Sequence, residues 1–135
     1  MAISITKLEG MTDGLAAELK AQGISDSDQL LAASAKPADR KALASKVGAK
    51  ERDILELANR ADLSRIKGVA GVFSDLLEKA GVDTVKELAA RRPDNLHAKI
   101  KEVNDAEQLA KRIPTEAEVT DWVAQAKDLP KLLSY

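Results

Sequence analysis

The sequence predicts an all-α protein, a compact helical bundle of two tandem repeats, each a pair of helical hairpins. Three observations carry this. Of the 135 residues 44% are hydrophobic, enough for a core, but only 2% are aromatic, so that core is built from Leu, Ile, Val and Ala, which suits closely packed helices better than sheets. Gly23, Gly48 and Gly81 each follow a run with helical apolar spacing, as residues that close helices do, while no segment alternates as a strand. Finally, the chain repeats itself.

The elements follow in order. A helix over 12–22 stops at Gly23, and Asp26 with Gln29 opens the next over 26–34 as a capping-box pair. Pro37 starts a helix over 37–47 that Gly48 closes, since proline in a first turn loses only a donor that has no partner there. A helix over 50–66 runs on through Arg65 and makes one body of the two repeats. Helices over 70–80 and 85–91 follow, the second opened by Thr84 with Glu87. Pro93 opens 93–103, a further helix covers 105–112, and Pro114 with the box Thr115–Glu118 introduces 116–127. The stretch DLPKLLSY is expected to be irregular and to fold back on the last helix through Leu129, Leu132 and Leu133.

Setting Gly10 on Gly68, an offset of 58, lays KLEGMTDGLAAELKAQGISDSDQL over RIKGVAGVFSDLLEKAGVDTVKEL. Leu8 then meets Ile66, Leu15 meets Phe73, Leu19 meets Leu77, Gly23 meets Gly81 and Leu30 meets Leu88. At an offset of 65, Ile54, Leu57, Ala58 and Ala61 meet Val119, Trp122, Val123 and Ala126, both sets having the spacing of one buried helical face. The units are expected over 1–62 and 63–135, packed together.

IKGVAGVFSDLLEKAGV, from Ile66 to Val82, raises two readings of its glycines. A dinucleotide-binding loop needs a strand before it and a phosphate loop needs a GK[ST] ending, and neither is present. What remains is helix, glycine turn and helix with Val69 inserted, the helix-hairpin-helix pattern, with LEGMTDG as its earlier counterpart. FSDLLEKAGVDTVKELAARRPDNL resembles the carboxy-terminal domain of the bacterial RNA polymerase alpha subunit. LELANRADLSRIKGVAGVFSDLLEKAGVDTVKELAARRPDNL followed by RIPTEAEVTDWVAQAKDLPKLLSY resembles the bacterial domain-of-unknown-function family numbered 4332 over nearly the whole chain. That resemblance implies a helical fold of the helix-hairpin-helix (SAM-like) type and no assigned activity.

In nucleic-acid-binding relatives of the motif, hairpin amides contact a phosphate beside a Lys or Arg, which points here to Gly68, Val69, Ala70 and Gly71. Gly10, Met11 and Thr12 are the equivalents in the first hairpin, where Asp13 repels phosphate and makes a structural role the expectation. Ala70 and Thr12 stand where glycine is usual, and Val72 and Gly14 where a basic residue is. Arg65 and Lys67 flank the second hairpin, and Lys86, Arg91, Arg92, Lys99 and Lys101 face only Glu87 and Asp94 over the same stretch. The expected function is therefore weak, sequence-independent binding of a DNA or RNA backbone through the second hairpin. The alternative is a protein-interaction or scaffold module, monomeric or homodimeric, and a plain solvated face remains the simplest account of the lysines.

Other functions find less to draw on. The net charge is −1, so no bulk field favours polyanions or membranes. There is no cysteine and His97 is the only histidine, which rules out thiol chemistry and Cys-type zinc sites and leaves a metal–histidine site or a triad little to draw on. Asp26, Asp28, Glu116 and Glu118 read as helix-start charges, and Trp122, Phe73, Leu76 and Leu77 as core. The chain is expected to be non-enzymatic, without cofactor, metal or small-molecule substrate. MAISITKLEG is no secretion signal and no segment has membrane-spanning length, so the expected location is cytoplasmic.

Overall fold

The computed structural model describes residues 2–69 and 71–135, and among them the only regular elements are helices. After a short 3-10 turn at Ile5–Lys7 come α1 (Asp13–Ala21), α2 (Ser27–Ser34), α3 (Pro37–Val47) and α4 (Glu51–Leu63). The second half holds α5 (Val72–Lys79), α6 (Val85–Ala89), α7 (Pro93–Glu107) and α8 (Glu116–Asp128). An isolated antiparallel bridge joins Ser4 and Asp26.

Local chemistry explains the boundaries. Thr12, Asp26, Thr84 and Thr115 each accept a hydrogen bond from the backbone N–H three residues on, satisfying a donor that the helix start leaves unpaired. The Thr115 box is complete, because Glu118 also accepts from the Thr115 N–H. The Asp26 box is displaced by one residue, since Gln29 accepts from the N–H of Ser25. In the Thr84 pair, Glu87 accepts from the Thr84 hydroxyl. Pro37 and Pro93 occupy first turns, whereas Pro114 lies one residue ahead of its cap.

Three boundaries differ from expectation. The helix over 50–66 stops at Leu63, where Ser64 donates its hydroxyl to the Ala61 carbonyl and turns carry the chain onward through Arg65 N–H to Asp62 and Ile66 N–H to Leu63. The helices over 93–103 and 105–112 are replaced by the single α7, which passes through Asn104 without a break. It ends at Gln108 in the left-handed region (φ 51°), and the Asn104 amide then holds Ala110 at both its N–H and its carbonyl. The segment after α8 does not fold back on that helix. Leu129 packs partly on the second core, but Leu132 is exposed and Leu133 is buried in the core of the first half.

The core has two parts that meet at α4. One gathers buried residues from Ile5 to Ala61, centred on Leu19, Leu30 and Ile54, and receives Leu133 from outside that range. The other runs from Leu63 to Ala126, centred on Leu76, Leu88, Ile100 and Trp122. Each fully buried aliphatic side chain contributes about 1.5–3 kcal/mol. In the first half α2 and α3 pack on α4 and on each other, and in the second half α6 and α7 pack on α8 and α5 packs on α7. Extensive helix–helix contacts among the described residues all lie within a half.

Besides α4, which enters the second core at Leu63, polar contacts and the segment after α8 join the halves. Asp62, 2% exposed at the end of α4, accepts from the Val85 N–H at 2.8 Å and from Arg65 at 2.8 Å. Arg65 in turn donates to the Pro130 carbonyl at 2.8 Å. On another face of α4, Arg60 bonds Ser74 and Asp75 and pairs with Glu78.

Asp62→Ala leaves the Arg65 guanidinium and the Val85 N–H without their partner, and is expected to cost about 3 kcal/mol in urea unfolding. Glu118 has its pKa lowered to about 2 by the Arg112 hydrogen bond and then by the Thr115 N–H. Its folded value lies below its ordinary 4.5, so its contribution is present above that value and fades as pH falls toward 2. Circular dichroism between those limits should show an acid-sensitive helical loss that Glu118→Gln reduces.

Candidate functional site

The residues of the second hairpin are largely occupied by the fold itself, and no hydrogen bond or ion pair joins them to Arg91, Arg92, Lys99 or Lys101 among the described residues. Gly68 has φ +94° and lies against α8, where a Cβ would stand 2.9 Å from the Trp122 indole Nε1. Gln125 of α8 accepts from the Lys67 N–H at 2.8 Å and donates to the Lys67 carbonyl at 3.2 Å, clamping the turn from both sides. Val69 is buried at 2% exposure. Ala70 lies outside the described residues. Gly71, at φ 52° and ψ −124°, is a conformation open in practice to glycine alone and forms the N-cap of α5, where its carbonyl accepts from the Ser74 hydroxyl.

The flanking cations divide into two groups. Arg65 is held by Asp62 and Pro130, with a side chain 10% exposed, and Arg91 donates to the Ala80 carbonyl that ends α5. Arg92 pairs with Asp94 and Lys99 with Glu102, both in solvent. Lys67, Lys86 and Lys101 are exposed. His97 is half-buried and contacts the Pro114 carbonyl at 3.0 Å through its Nε2. Trp122 is buried, whereas Phe73 is only partly buried, its ring tilted against Trp122 and capped by the Arg112 guanidinium at 5.1 Å.

A feature that the sequence reading passed over lies between α1, the start of α4 and α5. A groove of about 650 Å³ is lined by Glu9, Glu18, Asp53, Glu56, Asp75 and Glu78, with Leu15, Val47, Ala49 and Leu57 supplying apolar surface. Arg60 is the only basic residue in its lining. Burial opposes the charge of Arg60, but hydrogen bonds and charges from Asp75 and Glu78 outweigh that and hold its pKa above the ordinary value. Beyond Glu78, the Asp83 carboxyl is pushed up by burial first and then by Glu87 and Glu78, as expected on a face dense in carboxylates. These acids come from α1, α4, α5 and the turn before α1, and they converge only in the fold, so no run of the sequence announces them.

Among the described residues no three His, Cys, Asp or Glu side chains are placed to hold a metal ion, and no helix is long and apolar enough to cross a membrane. A family model with the description Domain of unknown function (DUF4332) matches residues 9–129, from the first hairpin to the end of α8. No curated protein and no solved structure matches the chain.

The Gly68 contact is measurable. Gly68→Ala both forces an L-residue to a positive φ and drives a methyl into Trp122, and should cost about 2–3 kcal/mol. Gly23→Ala, at φ +84° with open space around it, should cost only about 1 kcal/mol in the same thermal or urea melts.

Proposed function

The chain belongs to the DUF4332 family, and we infer that it works there as a non-enzymatic protein-interaction module whose working surface is the groove between α1, α4 and α5. One observation carries this reading: six carboxylates line the groove together with Leu15, Val47, Ala49 and Leu57, and the only cation in that lining, Arg60, is already paired with two of the six. Such a surface attracts a basic segment that carries an apolar side chain and repels a polyanion. The same reading takes the halves as two copies of one unit. In support, Gly10 stands beside Leu57 as Gly68 stands beside Trp122, and these are the positions that the two sequence offsets superpose.

A second reading keeps nucleic acid as the partner, through Lys67 at the hairpin and the cluster reaching Lys101. The exposure of Lys67, Lys86 and Lys101 favours it. It has less support, because the Val69 N–H and the Arg65 guanidinium, two of the donors that would meet a phosphate, already bond the Ile66 carbonyl and Asp62 with the Pro130 carbonyl.

Fluorescence anisotropy at low and moderate salt distinguishes the two. A labelled lysine- and leucine-containing peptide should bind the wild type in a salt-sensitive way and lose at least about tenfold in affinity to a Glu18→Gln, Asp53→Asn, Glu56→Gln variant. A labelled DNA duplex should not bind. Duplex binding abolished by Lys67→Glu and Lys101→Glu, with the peptide left unbound, would sink the groove reading in favour of the hairpin.

A further inference from the structure

The segment from Leu129 to Tyr135 behaves as an arm that leaves its own half. Leu129 is extended (φ −95°, ψ 140°) and Pro130 follows it. Leu133, 3% exposed, then enters a core whose other buried members all lie between Ile5 and Ala61. The seat on the first half also makes directed contacts. The Ala35 carbonyl accepts from the Ser134 N–H at 2.9 Å, and Arg40 donates to the Ser134 carbonyl at 2.7 Å. The Arg40 guanidinium lies 5.7 Å from the centre of the Tyr135 ring, whose hydroxyl donates to Asn59 at 3.0 Å.

We propose that this seat also takes the arm of a second copy of the chain, so that two copies exchange their arms reciprocally. These hydrogen bonds and the burial of Leu133 join arm to seat and are indifferent to which copy supplies the arm. Only the hinge from Leu129 to Lys131 has to change, together with the Arg65 bond to Pro130. Exchange of an identical element is a low-cost route to a dimer, because each bond that opens within one chain re-forms with the other. Since extensive helix packing stays within each half, no helix interface has to be broken for the arm to swing out. The three hinge residues reach about 10 Å when extended, which sets how far the α8 end of one copy can lie from the seat of the other. None of Ala35, Arg40, Asn59 and Leu133 lines the acidic groove, so the exchange can be tested with that groove empty.

The chain has no cysteine, so introduced thiols are the only ones. Ala35→Cys and Ser134→Cys place a thiol on the seat and on the arm, at residues already joined by a backbone hydrogen bond. The two single variants, in the full chain, are mixed at high concentration, exposed briefly to moderate urea, returned to buffer and mildly oxidised. Exchange should give a disulfide-linked pair in the mixture at least about fivefold above either variant alone, and adding Leu133→Asp to the arm-bearing chain should remove it, while Leu132→Asp should not. A double variant at low concentration should close on itself, which checks the seat. Closure of the double variant with no excess in the mixture would overturn the proposal. So would failure of the double variant to close, or a mixed pair that survives Leu133→Asp.

Discussion

The carboxylate of Asp62 is the constraint on which the arrangement of the two halves depends. It sits at the last turn of α4 with almost no solvent, and it has two tasks that no other group shares. One oxygen takes the first N–H of α6, and the other fixes Arg65, which then reaches the backbone at Pro130. A buried acid of this kind is costly unless fully partnered, and here both oxygens are. The effect is to tie three places distant in sequence, the end of α4, the start of α6 and the root of the arm, to one point. With the helices of each half packing chiefly on one another, that point and the Arg60 pairs supply much of the register between halves.

Much of the fold was legible beforehand because helix ends are local events. Threonine or aspartate caps, prolines in first turns and glycines in the left-handed region each act within a few residues, and these marked α1, α2, α3, α6 and α8 closely. Where the structure departs from the reading, the deciding contacts are equally short in range but come from residues that carry no stop signal. Nothing within 105–112 reveals that Asn104 will hold Ala110 and end the helix early, and a non-glycine such as Gln108 gives no warning that it will adopt a positive φ. The same applies to the stop at Leu63, made by turns that follow an apolar pattern which continues to Ile66.

The site was less legible than the fold, for an electrostatic reason. A count of charges along the chain finds the cations near the second hairpin but not how they are used. Arg65 and Arg91 end up serving carbonyls 65 and 11 residues away in the chain, partners that only the assembled fold brings within reach. Conversely, Glu18, Asp53 and Glu78 lie on separate helices, and their shared groove exists only once α1, α4 and α5 are assembled.

The scarcity of aromatic residues has an optical consequence. The chain has one tryptophan and one tyrosine. Trp122 is enclosed by the second core and lies against the hairpin, while Tyr135 lies at the far end of the arm, over Arg40 of the first half. Indole emission thus reports on the interior of one half, and phenol emission on whether the arm is seated on the other. The molecule carries two intrinsic and spectrally distinct fluorophores at the two places where its halves behave differently, so loosening of the arm and melting of the second core can be followed separately without attaching a dye.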